Sequence, residues 1–293
     1  MKENTILRKP DWLRMKIPSG GNFHTIQQHR KEGNLATVCE EARCPNMGEC
    51  WKAGSATFML MGDTCTRGCR FCSVKTAKNP PALDSNEPVN LARTLLDLKL
   101  KYVVLTTVDR DDLEDQGSGH IRRCIEEIKR VIPHIIIEAL IPDFRGDIEW
   151  VKEVIKARPE VIGHNVECTE KLTPKVRDPR ANYHQSLAVL KNIKGLAPDI
   201  YTKSSLMLGF GETDEEILQA MQDIKDVETD FLTLGQYLQP DKSKLPVIEY
   251  IHPDKFEWFR QQGLAMGFKY VSSGPLVRSS YQAAENYFRL HKT

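Results

Sequence analysis

In Thr57-Phe58-Met59-Leu60-Met61 a short apolar, β-rich run feeds directly into Gly62-Asp63-Thr64-Cys65-Thr66-Arg67-Gly68-Cys69-Arg70-Phe71-Cys72, a loop with three cysteines at CxxxCxxC spacing. Runs of the same character recur at 102–107, 135–140, 161–164, 204–208 and 231–234. Between them lie helical-period segments at 89–98, 121–131, 148–157, 183–193 and 215–226. The last opens on Thr213-Asp214-Glu215-Glu216, a capping-box pattern. Strand and helix alternate, which demands a parallel sheet with right-handed crossovers. The expected fold is α/β, a partial (β/α)6 TIM-like barrel. In such a barrel chemistry sits in the loops after the strands, and the cysteine loop follows the first strand.

The chain has 293 residues, enough for one large domain or two smaller ones. It carries 41 Lys and Arg against 40 Asp and Glu, so its overall field favours neither nucleic acid nor an anionic membrane. No apolar run approaches the roughly 18 residues of a membrane span. Behind Arg8-Lys9 there is no apolar stretch of a secretory signal, the start does not read as a transit peptide either, and a cytoplasmic location is expected. Residues 1–56 hold punctuation such as Pro18-Ser19-Gly20-Gly21 and few periodic segments, and form an irregular N-terminal extension. The barrel is expected over 57–272, with a C-terminal extension over 273–293.

Six of the eight cysteines fall between Cys39 and Cys72. Such crowding in a chain of this length signals metal ligation, not disulfide stapling. Cys65, Cys69 and Cys72 are spaced to wrap one cluster, and soft thiolates select iron–sulfur or zinc. Structural zinc normally closes with four ligands, often from paired CxxC units. Cys39, Cys44 and Cys50 form a second triplet, read as a second iron–sulfur cluster or as structural or zinc cysteines. Cys124 and Cys168 are expected to be buried as small hydrophobes.

The CxxxCxxC loop after the first strand, with an aromatic residue before its last cysteine, resembles the radical S-adenosylmethionine superfamily. That resemblance implies that Cys65, Cys69 and Cys72 hold a [4Fe–4S] cluster whose open iron chelates S-adenosylmethionine, with a 5′-deoxyadenosyl radical as product. Further segments narrow it: the N-terminal triplet with Pro45, 62–67 through Lys75-Thr76, Val108-Asp109-Arg110-Asp111-Asp112-Leu113, His164-Asn165-Val166-Glu167, Gly235-Gln236-Tyr237-Leu238-Gln239-Pro240 and Gly274 to Tyr281. Together, from about Arg8 to Tyr281, they resemble the lipoyl synthase family. The family implies insertion of two sulfur atoms at C6 and C8 of an octanoyl-lysine, on a lipoyl carrier domain or a glycine-cleavage carrier protein. It implies a second [4Fe–4S] cluster on Cys39, Cys44 and Cys50 that is the sulfur source. Its Arg-Ser-Ser-Tyr motif carries a serine ligand over to Ser280, with Ser279 as the fallback. An electron donor of ferredoxin or flavodoxin type and iron–sulfur assembly factors are the further partners expected.

Other residues are read with less specificity. Ser205-Leu206-Met207-Leu208-Gly209-Phe210-Gly211-Glu212 resembles the superfamily's GxIxGxxE pattern beside the adenine, with Ser205 in place of the first glycine; an ordinary strand-to-helix turn is the other reading. Asn165, Glu167, Arg177 and Lys203 lie at strand ends, where they hold the ribose or the methionine carboxylate or are plain solvated charges. Asp109, Asp111 and Asp112 with Arg110 are structural or channel candidates, or a surface charge run. Two other functions stay open on the residues: a different sulfur inserter, against which the N-terminal spacing and Arg278-Ser279-Ser280-Tyr281 speak, and a non-enzymatic iron–sulfur or zinc protein.

Overall fold

Val103, Leu105, Ile137 and Ala139 alternate along their strands toward the surrounding helices and are fully or almost fully buried. The computed structural model of the chain describes residues 8–13, 21–33, 35–41, 44, 46–52, 56–281 and 283–290. Met1 to Asn4, Pro18 to Gly20 and Pro45 lie outside them.

In chain order the elements are α1 (Gly21–Glu32), β1 (Ala36–Thr37), α2 (Val38–Glu41), α3 (Met47–Lys52), β2 (Thr57–Leu60), β3 (Thr64–Cys65), β4 (Lys75–Thr76), α4 (Glu87–Asp97), β5 (Tyr102–Thr107), α5 (Ser118–Val131) and β6 (Ile136–Leu140). There follow α6 (Ile148–Lys156), β7 (Val161–Gly163), α7 (Thr173–Val176), α8 (Tyr183–Leu196), β8 (Tyr201–Leu208), α9 (Asp214–Asp226), β9 (Phe231–Gln236), α10 (Pro253–Ala265), β10 (Tyr270–Gly274) and α11 (Ala283–Leu290). The main sheet runs β1-β2-β5-β6-β7-β8-β9-β10. All its pairings are parallel except that of β1 with β2. Helices cover its outside: α5 turns Ile121, Cys124, Ile125 and Ile128 inward, where each isoleucine contributes roughly 2–3 kcal/mol relative to exposure. The capping box forms as read: Thr213 Oγ1 accepts the Glu216 N–H at 3.3 Å while Glu216 accepts the Thr213 N–H at 3.2 Å.

The α/β partial-barrel fold is as expected, and three details are corrected. Seven parallel strands, not six, stand in the described sheet, because α10 and β10 add one more unit. Tyr270-Val271-Ser272-Ser273-Gly274 offers a single strongly apolar residue, so its strand character comes from pairing along β9. The boundary expected after residue 272 falls inside this strand. The N-terminal segment is also less irregular than expected: α1 is a 12-residue helix and β1 extends the sheet. Among the described residues no helix is long and apolar enough to cross a membrane.

After β10 the chain folds back over the barrel. A Cβ on Gly235 of β9 would lie 2.1 Å from the Val277 carbonyl oxygen, so the return path needs glycine there. α11 then packs Ala283 and Tyr287 against Tyr102 and Val104 of β5. It meets the strand N-termini, the end away from the cysteine loop.

Candidate active site

The CxxxCxxC loop is held by barrel residues distant in sequence. Cys65 Sγ accepts the N–H groups of Arg67 at 3.4 Å and Asp109 at 3.3 Å, and Cys69 Sγ accepts that of Asp178 at 3.4 Å. Gly68 N–H donates to Asp178 Oδ2 at 2.8 Å. Between the cysteines, the buried Arg67 guanidinium donates to Asp111 (2.9 Å to each oxygen) and Asp143 (2.6 and 2.8 Å), with Asp109 at 3.4 Å. Burial works against the ionised carboxylates, yet Arg67 holds Asp111 and Asp143 below the usual range. Asp109, with weaker partners, is pushed up to about 6 by burial. At the base of the loop Met61 N–H donates to Glu87, which also meets His120. Asp109 and Asp111 therefore clamp this loop, while Asp112 pairs with the buried Arg110 at 2.8 and 2.9 Å.

Cys39, Cys44 and Cys50 border a small recess shared with Asn46, Arg278, Ser280 and Tyr281. Asn46 Nδ2 donates to the Leu276 carbonyl at 2.6 Å and Tyr281 OH to Glu49 at 3.2 Å, joining the N-terminal segment to the Arg-Ser-Ser-Tyr loop. Ser280 faces this recess and Ser279 does not. Burial pushes the thiols up, Cys39 to about 11 and Cys50, Cys65 and Cys69 to about 12, with Cys44 and Cys72 raised as well. Coordinated iron reverses that preference and makes thiolates of such groups. Each triplet fits a cluster by its donors, three soft sulfurs none of which is in a disulfide, and the Ser280 hydroxyl borders the recess of the N-terminal set.

Both triplets reach a cavity of about 460 Å³ at the C-terminal ends of the strands; Cys39, Cys44, Cys65, Cys69, Cys72 and Ser280 line it. Asn165, Glu167, Arg177 and Ser205 line it too. Asn165 Nδ2 donates to Glu167 Oε1 at 3.1 Å, and Glu167 is fixed at φ 73° with its N–H on the Ser205 carbonyl at 2.9 Å. Lys203 is not among the lining residues. Its ammonium donates to Glu138 at 2.7 Å, and Glu138 accepts Tyr102 OH at 2.6 Å, deep in the barrel toward α11. The glycine turn after β8 also stays outside: Glu212 accepts the N–H groups of Gly209 and Phe210, and only Ser205, Leu206 and Met207 of that pattern touch the cavity. Cys124 and Cys168 are buried as expected. Arg67, Asp143, Asp178 and His164 were assigned no role from sequence; Arg67 stood inside the motif, whereas nothing local marks Asp143 or Asp178 as its supports.

A family model of the radical SAM superfamily matches residues 59–224, and one of the N-terminal domain of lipoyl synthase matches residues 1–44. Mitochondrial lipoyl synthases of Branchiostoma floridae (54% identical), Aedes aegypti (58%) and Drosophila melanogaster (54%) align over 97% of this chain and over 77%, 73% and 76% of their own lengths. The chain belongs to the lipoyl synthase family. Membership makes it a radical S-adenosylmethionine enzyme that inserts sulfur, uses S-adenosylmethionine and [4Fe–4S] clusters, and acts on an octanoylated lipoyl carrier. The expected cytoplasmic location is corrected, since these relatives are named mitochondrial. A missing apolar signal does not exclude import into that organelle, whose targeting peptides are amphipathic and Arg-rich. Among solved structures, methylornithine synthase (TM-score 0.55, 12% identity, 87% of this chain and 79% of that one) and the FeFe-hydrogenase maturase HydG of Carboxydothermus hydrogenoformans (0.54, 12%, 92% and 78%) share the fold.

Proposed function

We propose that Cys65, Cys69 and Cys72 hold the cluster that binds S-adenosylmethionine, and that Cys39, Cys44, Cys50 and Ser280 hold an auxiliary cluster that donates sulfur to C6 and C8 of an octanoyl-lysine. The observation that carries this reading is one cavity lined by cysteines of both triplets, Cys39 and Cys44 of the first and all three of the second. A chain carbon held there lies between the two sets of ligands. When bound, these groups supply reductive cleavage of the sulfonium, hydrogen abstraction from the two carbons and the sulfur itself.

The protein's own residues orient and insulate. Arg67, clamped by three carboxylates, fixes the loop that presents Cys65 and Cys69. A guanidinium suits a carboxylate, so Arg177 takes the methionine carboxylate, while Asn165 and Glu167 take ribose hydroxyls and Ser205 borders the nucleoside. Ser280 would hold the auxiliary cluster as a harder and more readily protonated ligand than the thiolates, which suits it to be released. Electrons come from a ferredoxin- or flavodoxin-type donor, and iron–sulfur assembly factors are further partners. The test incubates reconstituted protein anaerobically with S-adenosylmethionine, reductant and an octanoyl-lysine peptide. A gain of two sulfurs by mass spectrometry supports the reading; deoxyadenosine with an unchanged peptide defeats the substrate assignment. Ser280→Cys should retain iron but suppress sulfur insertion, and full activity in that variant would overturn the role of Ser280.

A further inference from the structure

Three barrel segments converge behind Arg177. His164 follows β7, Ile141 follows β6 and Ser186 lies in the first turn of α8; all are buried. Arg177 Nη1 lies 2.8 Å from Ser186 Oγ and 3.2 Å from the Val166 carbonyl, His164 Nε2 lies 2.9 Å from Ser186 Oγ, and His164 Nδ1 lies 2.9 Å from the Ile141 carbonyl. One proton arrangement gives every donor in these contacts a partner. A guanidinium only donates, so Ser186 accepts from Arg177. A carbonyl only accepts, so Nδ1 of His164 carries the imidazole proton. The serine proton then goes to a bare Nε2. The imidazole is thus neutral, which agrees with burial depressing its pKa to about 4. Asp143 opposes that shift, while Arg177 and Arg67 reinforce it. Arg177 and His164 line the cavity, whereas Ser186 stands behind them.

We infer that His164 is a positioning residue which, through Ser186, aims the Arg177 guanidinium at the carboxylate of S-adenosylmethionine. The inference rests on the proposed contact between Arg177 and that carboxylate. It assigns the histidine a share in cofactor affinity, where a core hydrogen bond would contribute stability alone.

The test measures the S-adenosylmethionine dissociation constant of the anaerobically reconstituted holoenzyme by equilibrium dialysis, with the thermal midpoint recorded beside it. Arg177→Met should weaken binding tenfold or more, and Ser186→Ala and His164→Leu each by about tenfold. The Ser186→Ala/His164→Leu double variant should be no worse than either single, because both break one relay. His164→Gln, which keeps an acceptor within reach of Ser186, should stay within about threefold of the parent. If Arg177→Met leaves binding unchanged, the contact reading falls and takes the inference with it. If Arg177→Met weakens binding while Ser186→Ala and His164→Leu lower only the thermal midpoint, the inference alone falls. Should His164→Leu fail to fold, the contrast between Ser186→Ala and His164→Gln decides the same point.

Discussion

Arg67 is 4% exposed and faces Asp109, Asp111 and Asp143, so its pairing must offset the cost of taking four charges out of water. Such a group adds little net stability, but removing one partner strands the others. Arg67→Met should therefore cost about 3–5 kcal/mol. For a chain of this size that is a fall of roughly 10 °C in the thermal midpoint, and the variant should retain less iron at the cysteine loop. Arg67→Lys should recover little, since an ammonium cannot make paired bonds to two carboxylates. A midpoint within a degree or two of the parent in calorimetry would remove the clamp from the account. Lys203 gives the opposite pattern. Lys203→Met leaves Glu138 with only Tyr102, so stability should drop by several kcal/mol while the S-adenosylmethionine affinity of the folded variant is unchanged. A selective loss of affinity would return Lys203 to the binding site.

Between elements, a tight backbone constraint is β9 against the segment that follows β10. Gly235→Ala must push the Val277 carbonyl away, and Ser280 lies three residues further along. The expected result is loss of about half the bound iron, that of the auxiliary cluster, with the CxxxCxxC iron kept. Full iron in the purified variant would show that the segment yields without cost. Elements with dense apolar periodicity, such as β5 and α5, were legible in the sequence because burial of their own side chains decides their conformation. β10 was not, because its serines form a strand only through the register that β9 imposes. α1 escaped for a related reason: its polar sequence carries little apolar pattern to read. Among site residues, the six clustered cysteines announced themselves by spacing. Lys203 was misplaced because a strand sequence does not say at what depth in a barrel an inward side chain ends.

At the scale of the whole molecule the recess beside Cys39, Cys44 and Cys50 is bordered by contacts between distant parts, Asn46 with Leu276 and Glu49 with Tyr281, each more than two hundred residues apart. Residue spacing holds no record of such pairings, which is why the auxiliary site's fourth ligand came from family resemblance. The same long-range burial links folding to protons. His164 titrates near 4 in the fold against 6.5 in an exposed chain. Between those values the unfolded chain binds more protons, so stability is complete above about pH 6.5 and is lost as pH falls through about 4, by up to roughly 3 kcal/mol. Asp111, Asp143 and Asp178 are held below the ordinary carboxylate range, and their contribution is lost only at lower pH. Acid should therefore draw on His164 in a first stage and on these carboxylates in a second, while Asp109, raised to about 6, takes up its proton in the fold over the first interval and offsets part of the His164 loss in both proteins. Thermal midpoints of cluster-loaded parent and His164→Gln between pH 7.5 and 4.5 separate the stages, because any acid loss of iron is common to both proteins. The parent should lose stability more steeply than the variant below about pH 6, and parallel curves would mean that the first stage belongs to another group.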